Sequence, residues 1–129
     1  MASRFLSGQT PETVQKVCSV KDVLMLKKSV EEVEVSEGIL GYIEDLIELT
    51  RKEPRFILGA SPRAMLALIR CAQAKAFIQN RDYVKPDDVK RTAESVLLHR
   101  LVLTPEAKIA REDAAGILSS LILKARIPM

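Results

Sequence analysis

The run from 62 to 79, PRAMLALIRCAQAKAFIQ, restricts the fold more than any other part of the chain. Ala64, Met65, Leu66, Ala67, Leu68, Ile69, Cys71, Ala72, Ala74, Ala76, Phe77 and Ile78 leave it almost no polar face. A helix that is apolar nearly all round predicts the buried centre of a helical bundle, and its alanines let neighbouring backbones approach closely. The other segments must then supply its cover.

They do so as helices. Ser19 followed by Asp22 is a variant of the capping box, and Val20, Val23, Leu24, Leu26 and Val30 continue a first helix from about 20 to 32. EVEVS at 32–36 alternates charged and branched residues and predicts a short extended piece. Ser36 caps a second helix with the clearest amphipathic stripe of the chain. Ile39, Ile43, Leu46, Ile47 and Thr50 lie on one side, with Glu44, Asp45, Glu48, Arg51 and Lys52 on the other. Pro54 ends it, and Gly59 precedes the apolar third helix.

QNRDYVKPDD forms a turn with a short extended DYV. Pro86 starts a fourth helix, with Asp87 and Asp88 in its first turn and Val89, Ala93, Val96 and Leu97 facing inward. HRLVLTPEAK at 99–108 reads as extended, ending in a Thr-Pro turn. Asp113 then caps a last helix with Ala114, Ile117, Leu118, Leu121 and Ile122 on one face. The prediction is an all-α, five-helix bundle with short extended connectors.

The 129 residues fit one domain. Cys18 and Cys71 stand among apolar residues and, with the single His99, make no zinc spacing, so they read as small core residues in a reducing compartment. No signal segment opens the chain, and no run approaches the roughly 18 apolar residues of a membrane helix, so the reading is cytoplasmic and membrane-free. Basic residues (20) and acidic residues (17) alternate, as on a solvated surface. With three Phe, two Tyr and no Trp, the chain offers little for bases to stack on, which argues against nucleic-acid binding.

Catalytic constellations are missing from the sequence. None of the five glycines begins a G-x-x-x-x-G-K-[ST] phosphate loop and there is no nucleophile elbow, so the chain does not read as an enzyme by itself. Glu31-Glu32 and Asp87-Asp88, beside helix ends, read as tuning the helix dipole. His99 follows Leu98 at the end of the fourth helix, where a cation is stabilised; the role of Arg100 beside it stays open.

One residue resists a local explanation. In GASPRA, at 59–64, Ser61 caps the third helix and Pro62 suits its first position, so Arg63 falls in the first turn. A cation there is disfavoured by about 0.3–1 kcal/mol. Either an acidic residue elsewhere in the bundle pairs with it, or it meets a phosphate, as arginines at helix N-termini do.

The run LGASPRAMLALIRCAQAKAFIQNRDYVKPDDVKRTAESVLLHRLVL resembles the C-terminal lid of the MoxR family of AAA+ ATPases. That family typically carries GASPRA, an Ala- and Leu-rich helix, a GRDYVTPDDV turn and a VLRHRL close. RFLSGQTPETVQKV at 4–17 looks like its passage from ATPase core to lid, VEVSEGILGYIEDLIELTR like its second lid helix, and the last helix with IPM like its C-terminus. The resemblance implies a linker at 1–18 and a lid of AAA+ type at 19–129, part of a larger ATPase whose core carries the Walker motifs, the first sensor and the arginine finger. It implies that Arg63 is the sensor-two residue, set by Ser61 and Pro62 to contact nucleotide phosphates. ATP and Mg would be cofactors of the full-length protein and not of this chain in isolation. Ring-forming neighbours, commonly in hexamers, and chaperone-like work on metal-containing or von Willebrand factor A domain proteins are implied in the same way. The chain departs from the pattern at Asn80, where glycine is usual, at Lys85, where threonine often caps, and at Leu98, where arginine is common. Asparagine tolerates the positive φ that the first position can require. The alternative is a free-standing helical protein- or DNA-binding module, since YVKPDDVKRTAESVL distantly resembles histone-like bundles.

Overall fold

A computed structural model describes residues 15–127, so most of the expected 1–18 linker lies outside the described residues. The elements in order are α1 (Val20–Glu31), α2 (Glu37–Lys52), β1 (Phe56–Leu58), α3 (Pro62–Ile78), α4 (Pro86–Leu97), a 3-10 turn (Leu98–Arg100), β2 (Val102–Leu103), α5 (Pro105–Ile109) and α6 (Ala114–Lys124). The predicted starts hold. The backbone N–H groups of Asp22, Ile39 and Ala64 donate to the hydroxyls of Ser19, Ser36 and Ser61, and Asp113 accepts from the N–H groups of Ala115 and Gly116. Each cap satisfies donors that the first helical turn leaves unpaired.

The core lies between α2, α3, α4 and α6. The α2 stripe is buried as expected, with Tyr42 added to it, and the Tyr42 hydroxyl donates to the carbonyl of Ile122 on α6 at 3.4 Å. On α3 the buried line is Ala64, Leu68, Ala72 and Ala76, one residue per turn, and the most extensive packing in the molecule is between α3 and α4. The two predicted extended pieces, EVEVS and DYV, meet in a parallel bridge between Glu34 and Tyr83. β1 and β2 pair antiparallel, Phe56 opposite Leu103, and the Thr104 N–H continues the ladder to the carbonyl of Arg55 at 2.9 Å.

Four local expectations are corrected. The 99–108 stretch is not extended throughout. It holds the 3-10 turn, two strand residues and then α5, making six α-helices among the described residues. Thr104-Pro105 repeats the cap-and-proline chemistry of Ser61-Pro62, and the Ala107 N–H donates to Thr104 Oγ1 at 3.2 Å. Second, α3 is not buried all round: Leu66, Cys71 and Ile78 are exposed. In a bundle this small α1, α2 and α4 all pack on α3 and still leave part of its surface uncovered.

Third, both cysteines are exposed rather than core. Cys71 stands one position off the buried Leu68–Ala72 line, because neighbours in sequence do not share a helix face. Fourth, the apolar residues of α1 find no core, and none of its residues is buried. It is held at its C-terminal end, where the buried Gln73 donates to the carbonyl of Val33 at 2.7 Å and Arg70 pairs with Glu31 at 3.2 Å. Asn80 does take the left-handed conformation, φ 55°, and lets the Arg81 N–H close back on the carbonyl of Ala76 at 3.0 Å.

Candidate functional site

The GASPRA segment is built against the last turn of α2. At Gly59 a Cβ would lie 2.7 Å from both Arg51 Cα and the Thr50 carbonyl oxygen, so only glycine permits this backbone approach. The next residue, Ala60, is buried. Its N–H donates to Thr50 Oγ1 at 3.0 Å, and its carbonyl accepts from Arg51 Nε at 2.8 Å. The Thr50 hydroxyl in turn donates to the carbonyl of Ile47 at 2.7 Å. Sequence reasoning missed this anchor: it took Thr50 for one more residue of the apolar stripe and Arg51 for the solvated side. The signal was the hydroxyl itself, since a buried threonine needs a hydrogen-bond partner.

From that anchor the chain enters α3. Ser61 is extended (φ −86°, ψ 165°) and Pro62 occupies the first position. The Ala64 N–H reaches Ser61 Oγ at 3.3 Å and the Ser61 carbonyl at 2.9 Å, and the Met65 N–H reaches the same carbonyl at 3.2 Å. Arg63 follows in the first turn, exposed, and no acidic residue shares that turn. Among the described residues the ion pairs are Lys52–Glu48, Arg55 with Glu53 and Glu112, Arg70–Glu31, Arg81–Asp88 and Lys90–Asp87. Arg63 is in none of them. Shallow grooves run on either side of the segment, and Arg51 and Pro62 line both.

A second arginine sits at the far end of α3 in a different setting. Arg81 grips Asp88 with two bonds of 2.7 Å, and Asp88 also accepts from the Lys85 N–H at 2.8 Å. The Asp88 side chain is only 3% exposed. Burial acts to raise its pKa, but the Arg81 hydrogen bonds, the Lys85 N–H and both cationic charges outweigh burial and hold the carboxyl below its ordinary range. Tyr83 lies between Arg81 and Lys85, whose cations are 6.0 and 5.5 Å from its ring centre. Asp87, exposed beside it, keeps the dipole-tuning place expected for both.

His99 is exposed in the 3-10 turn, and Arg100 Nε donates to the carbonyl of Val96 at 3.1 Å, closing the end of α4. Among the described residues, no group of His, Cys, Asp and Glu is placed to hold a metal ion, and no helix is long and apolar enough to cross a membrane.

Residues 48–121, which contain the α2 anchor, GASPRA and the Arg81–Asp88 pair, match the AAA lid domain. The chain belongs to the AAA lid domain family. Its relatives place the lid among MoxR-type proteins. It is 36% identical over 118 residues to the uncharacterized protein YeaC of Bacillus subtilis, covering 92% of this chain and 37% of that protein. It is 33% identical over 129 residues to the chaperone MoxR1 of Mycobacterium tuberculosis, covering 93% and 34%. The crystal structure of a presumed ATPase from Cytophaga hutchinsonii superposes with a TM-score of 0.84 at 34% identity, over 98% of the lid and 41% of that chain. The lid thus spans little more than a third of the length of these relatives.

Proposed function

We propose that this lid is the nucleotide-state sensor and lever of a MoxR-type AAA+ ATPase, with Arg63 as its sensor-two residue. One observation carries the reading: an exposed arginine in the first turn of a capped helix, with no acidic neighbour in that turn and no carboxylate partner among the described residues. An anion from outside the lid removes the local penalty, because the guanidinium and the helix dipole favour the same ligand.

The residues fit the phosphate end of ATP and not the magnesium ion, since the donors at the start of α3 are all cationic or neutral. ATP with Mg, held by the ATPase core, supplies the hydrolysable phosphoanhydride. Arg63 would offer its guanidinium to a phosphate oxygen, and its hold would depend on whether the γ-phosphate is there. Ala64, next to it, is buried at 0% exposure, so the first turn of α3 cannot shift without the packed helices around it. The lid then swings as a body. The ATPase core of the same protein and neighbouring ring subunits are the partners this requires, and the exposed apolar residues of α1 and β1 give such partners surface to cover. A hexameric ring, cytoplasmic location and von Willebrand factor A domain clients belong to the same reading.

The test is Arg63→Ala in the ATPase that carries this lid. Turnover falls by about 10²–10³-fold, the scale of one lost transition-state donor, while the melting temperature of the lid does not fall. Unaltered turnover would sink the assignment.

A further inference from the structure

We infer that Thr50 and Arg51 are positioning residues for Arg63, so that the last turn of α2 rather than α3 alone sets where the sensing arginine points; this rests on the sensing reading above. Three contacts converge on the two residues before Ser61. The backbone of Gly59 lies against the backbone of Thr50 and Arg51 at a distance no side chain tolerates. The Ala60 N–H is held by Thr50 Oγ1 at 3.0 Å and the Ala60 carbonyl by Arg51 Nε at 2.8 Å. Both polar groups of one residue are therefore bonded by consecutive residues of a different helix.

The Thr50 hydroxyl is used in both directions, accepting from Ala60 and donating to Ile47, and Thr50 is 0% exposed. Its orientation is fixed by α2 and cannot relax toward water. Arg51, by contrast, is exposed and joins no ion pair among the described residues. Its bond to Ala60 is thus a local tie with no competing partner. Ser61 caps α3 only if its extended backbone enters at the right angle, and that entry is what the Ala60 contacts determine. A strain on Arg63 passes through Ser61 and Ala60 into the α2 stripe, which is buried across the core.

The first measurement is amide hydrogen exchange in the 129-residue chain at Ala64 and Met65, the two amides bonded to Ser61. Thr50→Val keeps the shape and removes the hydroxyl. It should speed exchange at both amides at least tenfold relative to the core amides of Leu97 and Leu118, and Thr50→Ser should restore protection. Equal protection in Thr50→Val overturns the proposal, and so does a change shared uniformly with the core. Arg51→Met, on the surface, repeats the test without touching the core and should give the same local pattern.

The second measurement is a double-mutant cycle on ATP turnover in the ATPase carrying this lid. Thr50→Val should lower kcat at least fivefold with KM little changed, and should lower nothing further once Arg63 is alanine. A loss that persists in the Arg63→Ala background overturns the positioning role. If Arg63→Ala itself leaves turnover intact, the sensing reading fails, and the exchange result alone decides whether α2 sets the start of α3.

Discussion

Arg63 and Arg81 stand at opposite ends of α3, each close to the N-terminus of a helix that starts with proline, and they have opposite fates. Arg81 comes before α4, whose first turn offers Asp87 and Asp88, and it is locked to Asp88 by two 2.7 Å bonds. Arg63 comes inside α3, whose first turn offers no acid, and it is exposed. Residue type alone does not separate a structural arginine from a sensing one. The partner within reach does: Asp88 takes up the guanidinium of Arg81, whereas Arg63 joins no ion pair among the described residues and keeps its donors for a ligand.

The contrast breaks hardest at Asp88. Asp88→Ala leaves Arg81 without its partner in a partly covered site and should cost about 3 kcal/mol of stability, the lower end for a broken buried pair because Arg81 retains some access to water. Urea unfolding reads the loss as a lower midpoint at constant slope. A loss below 1 kcal/mol would place the two arginines in the same class.

Acid should weaken the same pair, together with a carboxyl at the C-terminus of α2. The carboxyl of Asp88 is held below its unfolded value, and that of Glu53 likewise, by its hydrogen bond to Arg55 against the effect of burial. Their stabilisation is fully present above the ordinary carboxylate range, near 4, and is lost as pH falls through the lower folded values. Unfolding free energy measured between pH 7 and pH 2 should be flat at first and then drop. The drop should be shallower in Asp88→Ala, which has one fewer such carboxyl to protonate.

Smaller effects sharpen the other side. Ser61→Ala removes the cap of α3 and should cost about 1 kcal/mol, seen as a lower thermal midpoint. Arg63→Glu should do the reverse. Exchanging a cation for an anion in that turn should raise stability by about 0.5–1 kcal/mol even as it abolishes sensing in the ATPase. A stabilised lid in an inactive enzyme is what an arginine kept for its ligand predicts; a destabilised one would mean that Arg63 already serves the fold.

Much of the molecule was legible before any coordinates. Caps at Ser19, Ser36, Ser61 and Asp113, the α2 stripe and the left-handed Asn80 all depend on residues within one turn of each other, where hydrogen-bonding geometry follows from spacing. The site was legible to the same extent: the sequence placed Arg63 in a capped first turn. The anchor behind it was not, because Thr50 and Ala60 meet across a break in the helices, and neither residue type announces a partner ten positions away.

Sequence alone thus determined the helical class, most helix starts and the odd placement of one arginine, since these are settled by local hydrogen bonds and by periodicity. Tertiary structure decided which faces of α3 are covered, that Cys18, Cys71 and the apolar residues of α1 stay outside, that Asp88 is taken by Arg81, and that α2 holds the entrance to α3. The physical reason is common to all four. Burial and ion pairing depend on which other segment arrives at a surface, and in a bundle with few helices there are too few to reach every apolar face or every charge.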